Sequence, residues 1–124
     1  MGWNGHGSGV VAVVEPDGEN LEFHESGTFE PDDGGRIAFR NVFHWRQTGP
    51  KTIRLQHLRH GPTDPVALID LVAEGTGTWS TVRSHHCRDD DYRARLYSQG
   101  PDIVLHWSVT GPRKQATIEY RYLP

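Results

Sequence analysis

The chain has 124 residues, a formal net charge of −3 and a pI of about 6.2, and nothing in its charge favours nucleic acid or an anionic membrane. Its only cysteine, Cys87, excludes an intrachain disulfide. No apolar run reaches the roughly 18 residues of a membrane span, and the N-terminus lacks the charged and apolar regions of a signal peptide. We therefore expect one soluble, cytoplasmic domain over residues 1–124.

Segments with period-two alternation follow one another along the chain, separated by turns rich in Gly and Pro. The predicted strands are Gly9–Val14, Asn20–Phe29, Arg36–Arg46, Thr52–His60, Val66–Ala73, Thr78–His86, Asp91–Ser98, Asp102–Thr110 and Gln115–Leu123. Residues 1–8 are predicted to form a flexible N-terminal arm. Short strands joined by tight turns predict an all-β fold, an antiparallel up-and-down β-barrel of about nine strands.

Alternation places a mixed set of side chains on the inward face of these strands. Much of that face is apolar, but several polar groups interrupt it, and buried polar groups are costly unless they have partners. They therefore form an internal network or line a ligand site. The candidate ligand-binding residues on this face are Glu25, Asn41, Trp45, His57, Arg59, Trp79, Arg83, His85, Tyr92 and Trp107.

The segment from Arg83 to Tyr92 holds His85 and Cys87 two residues apart. A contacting Cys–His pair would be the recipe for a reactive thiolate. Side chains at this spacing on a strand extend side by side, which disfavours a good hydrogen bond between them. The histidines also diverge in direction, which disfavours a zinc site, and we predict no metal. An internal network that fixes strand register is the favoured interpretation, with Cys87 a bystander.

Glu25 falls on an apolar face of its strand. A buried carboxylate must pair with a cation, accept several hydrogen bonds or take up a proton. Arg59 or Arg83 would be its partner across the interior. Two interpretations stay open: an ion pair at the mouth of a barrel, and an acid or base oriented by Arg and His.

Four patterns occur in order along nearly the whole chain: Phe23-x-Glu25-x-Gly27, Arg40 with Trp45, His85-x-Cys87-x-x-Asp90-x-Tyr92, and Trp107-x-Val109-x-Gly111-Pro112-x-Lys114. Together they resemble the bacterial and fungal family called domain of unknown function six-three-one-four. The resemblance implies a calycin, or lipocalin-like, barrel with an interior for a small molecule, and it implies no established activity.

The chain departs from the family pattern in two places. Gly2-Trp3-Asn4 leads directly into the next strand without the additional N-terminal strand typical of the family, and Gln115 stands where Asp is common. An unpaired sheet edge is a liability that proteins usually cover. We therefore expect a barrel open at one edge, or a homodimer that closes it.

Four functional hypotheses follow, the last of them minor. The first is a small-molecule-binding barrel for an apolar or amphipathic ligand, without a cofactor. The second is a cofactor-free isomerase, cyclase or lyase that uses Glu25, His85 and Tyr92. The third is a structural or interaction module, and a haem-binding barrel with a lone His at its pocket wall is a minor fourth. Fold analogy cannot choose between binding and catalysis.

Overall fold

The computed structural model describes residues 4–58, 61, 63–87 and 89–124, and the side chains of all of these except 85–87. The described residues form ten strands and no helix. The strands are β1 (Gly5–Asp17), β2 (Asn20–Pro31), β3 (Ile37–Gly49), β4 (Thr52–His57), β5 (Val66–Ala73), β6 (Thr78–Thr81), β7 (His85–Cys87), β8 (Asp90–Gln99), β9 (Asp102–Thr110) and β10 (Gln115–Tyr122). In this described part, no helix is long and apolar enough to cross a membrane.

Strand pairing follows chain order, β1-β2-β3-β4-β5-β6-β8-β9-β10, with β7 paired to β8 beside this path. Every pairing whose register is resolved is antiparallel. The predicted all-β, up-and-down antiparallel class is therefore confirmed, with β1 and β10 at the two ends of the order. The chain divides into two compact units: unit 1 is Met1–Gln47 with Leu55–Leu68, and unit 2 is Thr48–Arg54 with Ile69–Pro124.

Unit 1 is organised around the two ladders of β2. Phe23 lies between Val13 of β1 and Phe43 of β3, and Glu25 lies between Val11 and Asn41. Directly paired residues share a face, so this face is apolar except for the Glu25–Asn41 pair. The buried apolar residues of the unit are Phe43, Trp45 and Leu55.

The flexible arm predicted for residues 1–8 is corrected at residues 5–8 by the position of β1, while residues 1–3 lie outside the described residues. This strand begins at Gly5, and Gly5 to Ser8 pair with Pro31 to Thr28 of β2. A Cβ atom built on Gly7 would lie 3.6 Å from the rings of both Phe29 and Phe39. Glycine has low strand propensity, but here the glycine backbone packs beside two aromatic rings at distances that are ordinary van der Waals contacts for a Cβ.

Unit 2 buries one face of four successive strands. Register aligns Ala73 with Trp79, Trp79 with Leu96, Leu96 with Leu105, and Ala94 with Trp107. The buried apolar residues of the unit are Ile69, Leu71, Ala94, Val104, Leu105, Trp107 and Val109. Val104 lies on the opposite face, between Tyr97 and Arg121, and is also fully buried.

The single strand predicted over Thr78–His86 is divided into β6 and β7. At the break, the Thr81 hydroxyl accepts a hydrogen bond from the Ala94 N–H (2.7 Å) and donates one to the Ala94 carbonyl (2.8 Å). A side chain thus replaces the backbone partner that a continuous strand would supply. The chain then leaves β8 at Val82 and returns at His85, which accounts for ten strands instead of nine.

Gly27→Ala is expected to destabilise the protein by about 1–3 kcal/mol, because its new Cβ would collide with the Ser8 carbonyl oxygen and lie 2.7 Å from Gly9 Cα. Both obstacles are backbone atoms, which cannot move aside cheaply. Gly18→Ala is the matched control, since a Cβ there meets nothing within 4 Å. Urea unfolding of the two variants measures the difference, and equal stabilities would contradict the close approach.

Thr81→Val should lower the free energy of unfolding by about 1–3 kcal/mol. The substitution leaves the N–H and C=O of buried Ala94 without their shared hydrogen-bond partner. Thr81→Ser keeps the hydroxyl and should lose less. Denaturant unfolding of both variants provides the measurement. A Val variant as stable as the native chain would contradict the role of the Thr81 hydroxyl.

Candidate functional site

The ten predicted ligand-binding residues fall in both units of the fold. Glu25, Asn41, Trp45 and His57 lie in unit 1, and Arg59 lies outside the described residues. Unit 2 contains Trp79, Arg83, His85, Tyr92 and Trp107. The three acid–base candidates are likewise divided, with Glu25 in unit 1 and His85 and Tyr92 in unit 2. Each unit therefore contributes its own part of the predicted set.

Glu25 is the buried carboxylate that alternation predicts, with 6% of its surface exposed. It sits at the centre of β2, directly opposite Asn41 of β3 and Val11 of β1. The residues before and after Glu25 on this face are Phe23 and Gly27. A buried carboxylate is costly unless it has hydrogen-bond or charge partners, so Glu25 is a candidate for polar interactions inside unit 1.

His57 lies at the end of β4 and packs against the same face of unit 1. Its imidazole meets the Phe43 ring edge-on, with centroids 5.5 Å apart and planes at 87°. Phe43 is two residues from Asn41 on β3, so both side chains project from one side of that strand. The aromatic contact orients the imidazole beside the Phe43 ring.

A cavity of about 310 Å³ opens where β4 ends beside β3. Its lining residues are Arg40, Asn41, Val42, His57 and Leu58. The Leu58 N–H donates to the Val42 carbonyl at 3.0 Å, which holds the end of β4 against the middle of β3. Asn41 and His57 were predicted from alternation. Arg40 and Val42 were missed because they flank Asn41 on the other face of β3, and Leu58 because it lies beyond the strand.

Trp45 adds an unpaired donor on the same side of β3. The residue is 7% exposed, and its ring packs against Phe23 with centroids 5.9 Å apart. The indole Nε1 is buried and has no hydrogen-bond partner among the described residues. Leaving a buried donor unsatisfied costs about 1–3 kcal/mol, so such groups in a folded protein call for a specific explanation.

A second polar network, which sequence reasoning missed, lies on the opposite face of unit 1. The Asn20 amide donates to both oxygens of Asp17 (2.9 and 3.0 Å), so its own oxygen faces His44 Nε2, which donates to it at 2.7 Å. His44 Nδ1 lies 2.9 Å from Gln56 Oε1. The donor and acceptor roles in this second contact depend on the His44 tautomer and on the orientation of the Gln56 amide.

Asp17 anchors this network at the β1–β2 turn. The Glu19 backbone N–H, which donates to Asp17 Oδ1 at 2.8 Å, lowers the pKa of the carboxyl below its usual value, and the Asn20 side chain adds to the effect. Hydrogen bonds to the ionised form favour it. Only the spacing of Asp17 and Asn20 across a two-residue turn could have indicated this part of the network, while the His44–Gln56 contact depends on cross-strand register.

In unit 2, the candidate residues Trp79, Tyr92 and Trp107 share one face. Tyr92 pairs with Val109, Ala94 with Trp107 and Leu96 with Trp79, and these residues of β8 alternate on one side. The register also places His85 of β7 opposite Tyr92. Arg83 is exposed and lies between β6 and β7, so the break removes the alternation on which its inward placement rested.

Metal-ligand geometry is not found among the described side chains, which contain no group of three His, Cys, Asp or Glu residues that could hold an ion. Two of the described histidines make side-chain hydrogen-bond contacts: His44 joins the Asn20–Gln56 network, and His24 contacts Glu22 at 2.9 Å.

The fold and these faces define an antiparallel all-β protein with a polar-lined cavity in unit 1. A family model described as "Family of unknown function (DUF6314)" matches residues 2–124. The chain belongs to this family, which confirms the resemblance drawn from its sequence motifs. No curated protein and no solved structure matches the chain significantly.

Asn20→Ala should raise the pKa of Asp17 part of the way to its ordinary value, because the backbone donor, the larger cause, remains. A carboxyl whose folded pKa is depressed stabilises the fold above its unfolded pKa and loses that contribution as pH falls through the folded value. The variant should therefore lose less stability on acidification. Carbon-detected NMR titration of the Asp17 carboxyl measures the shift, with Asn41→Ala as a control that leaves it unchanged.

Proposed function

We propose that the protein binds a small, partly apolar molecule in the cavity at the end of β4, through an acceptor-rich end such as a carboxylate. The observation that carries this proposal is the cavity lined by Arg40, Asn41, Val42, His57 and Leu58. Its volume of about 310 Å³ is at the lower end of the range of roughly 300–1,000 Å³ usual for ligand sites. A molecule of about ten heavy atoms is the expected size.

Three of the five lining residues are polar and two are apolar, so the cavity offers contacts to both a polar and an apolar part of a ligand. Arg40 is exposed and brings the five N–H donors of a guanidinium, and Asn41 adds an amide that can donate or accept. Val42 and Leu58 supply apolar contacts. Donors dominate, and the positive charge of Arg40 favours an anionic end on the ligand.

The family resemblance also supports binding. The calycin type that it implies would enclose a small molecule, and we extend the proposal to that type of barrel.

Binding can be tested with two pairs of matched probes, benzoate with benzamide and hexanoate with hexanamide. Each carboxylate should perturb the backbone amide NMR signals of residues 40–42, 57 and 58, and its neutral partner should perturb them less. Arg40→Gln should weaken carboxylate binding about two- to fivefold, the effect of losing one exposed ion pair. Arg46→Gln is the control, because Arg46 is an exposed arginine of β3 outside the cavity lining.

The outcomes separate clearly. Signal changes confined to the cavity, with binding weakened by Arg40→Gln, support the proposal. Changes that are spread over the surface, or equal in the two arginine variants, contradict it. No perturbation by any of the four probes at millimolar concentration overturns the carboxylate class. Native mass spectrometry of freshly purified protein adds an independent readout, since a retained small molecule would appear as a mass increment.

A further inference from the structure

The most exposed apolar surface in unit 1 is the middle of β1, from Val10 to Val14. Val10 and Val14, on one face of the strand, are 74% and 45% exposed, and Val11 and Val13, on the other face, are 36% and 57% exposed. Ala12 between them is exposed as well. Four exposed valines within five residues are unusual on a strand that has only water beside it, since β-branched side chains fit a covered, pleated surface.

β1 also stands at one end of the strand order, where β2 is its neighbour. In an antiparallel ladder, every second residue of β1 directs its N–H and C=O groups to β2. The backbone groups of the intervening residues point to the opposite edge of β1. Proteins usually protect such an edge with charges, prolines or bulges. The stretch Gly9–Val14 has no charge and no proline, while a bulge and Pro16 follow only after Val14.

The other terminal strand of the order is protected in the usual way. β10 carries Glu119 and Arg121 among its eight residues, and Arg121 is held by Asp102 at 3.2 Å and by Glu119 at 3.6 Å. A charged, ion-paired strand resists pairing with another chain because desolvating those groups is costly. The contrast singles out β1 as the strand suited to recruit a partner.

We propose that this partner is a second copy of the chain, joined by antiparallel pairing of β1 with β1 about a two-fold axis at Ala12. The sequence Val10-Val11-Ala12-Val13-Val14 is palindromic. Pairing centred on Ala12 sets Val11 opposite Val13 and Val10 opposite Val14 of the second copy, so both faces match valine with valine. An isologous contact requires this self-complementarity, and antiparallel strands satisfy it directly.

The flanking residues are also compatible with this register. Glu15 would lie opposite Gly9, and Asp17 opposite Gly7, so no two like charges face each other across the axis. Pro16, which has no N–H to donate, would lie opposite Ser8 at the margin of the paired segment. The negatively charged Glu15 and Asp17 thus lie outside the paired segment Val10–Val14 and do not oppose pairing of the two copies.

Sedimentation velocity of the full chain over a concentration series tests the proposal, together with two double variants. In the register about Ala12, Val10→Lys/Val14→Lys sets lysine against lysine twice, and Val10→Lys/Val14→Glu sets lysine against glutamate twice. Within one chain these positions are four residues apart on a strand, roughly 13 Å, and do not pair. We expect dimers of the native chain and the Lys/Glu variant, with at least tenfold weaker association of the Lys/Lys variant.

A cross-linking experiment fixes the register independently. In a Cys87→Ser background, Ala12→Cys should form a disulfide-linked dimer under mild oxidation, because directly paired Cα atoms lie within disulfide distance. Val10→Cys is the control and should cross-link much less, since it faces position 14. A native chain that is strictly monomeric at all concentrations overturns the proposal, as does a dimer that the Lys/Lys variant leaves intact.

Discussion

The register of β2 is the constraint on which unit 1 depends. Because β2 is paired on both sides, it sets Val11, Glu25 and Asn41 in one row across three strands. A slip of one residue would turn Glu25 to the other face and expose the apolar set. Gly9 and Gly27 oppose each other in this register, and their backbones approach too closely for a side chain on either. The glycine pair therefore selects the alignment, and the polar row follows from it.

Period-two alternation predicted most of this arrangement, because it reports which face a residue occupies once a strand is known. The bounds of β5 and β9 agree with the sequence prediction, and Glu25 is buried as expected. The start of β1 and the break after Thr81 were not predictable in this way. The glycines of Gly5–Ser8 have no side chains, so this segment shows no alternation of apolar and polar residues. The Thr81 hydroxyl replaces a backbone hydrogen-bond partner of Ala94, and this depends on the three-dimensional position of Ala94, which the sequence does not give.

The candidate site was predicted only in part, for a geometric reason. Alternation selects one face of each strand, whereas the cavity lies at the end of β4 and takes three consecutive residues of β3, from both faces. Asn41 was found because it interrupts an apolar face, and Arg40 was overlooked because an exposed arginine on the other face is ordinary. The Asn20–His44–Gln56 network escaped for the same reason, since its members become neighbours only through pairing across β2, β3 and β4.

The two proposals for unit 1 concern different strands. The cavity belongs to β3 and the end of β4, and the exposed valines belong to β1, with β2 between them. Pairing at the free edge of β1 adds hydrogen bonds on the side away from β2 and needs no change in the β2 register. Ligand binding beside β3 likewise leaves the Gly9–Gly27 contact intact. The two events should therefore be energetically independent, and any measured coupling would have to pass through the rows of residues that cross β2, such as Val11–Glu25–Asn41 on one face and Val10–Ser26–Arg40 on the other.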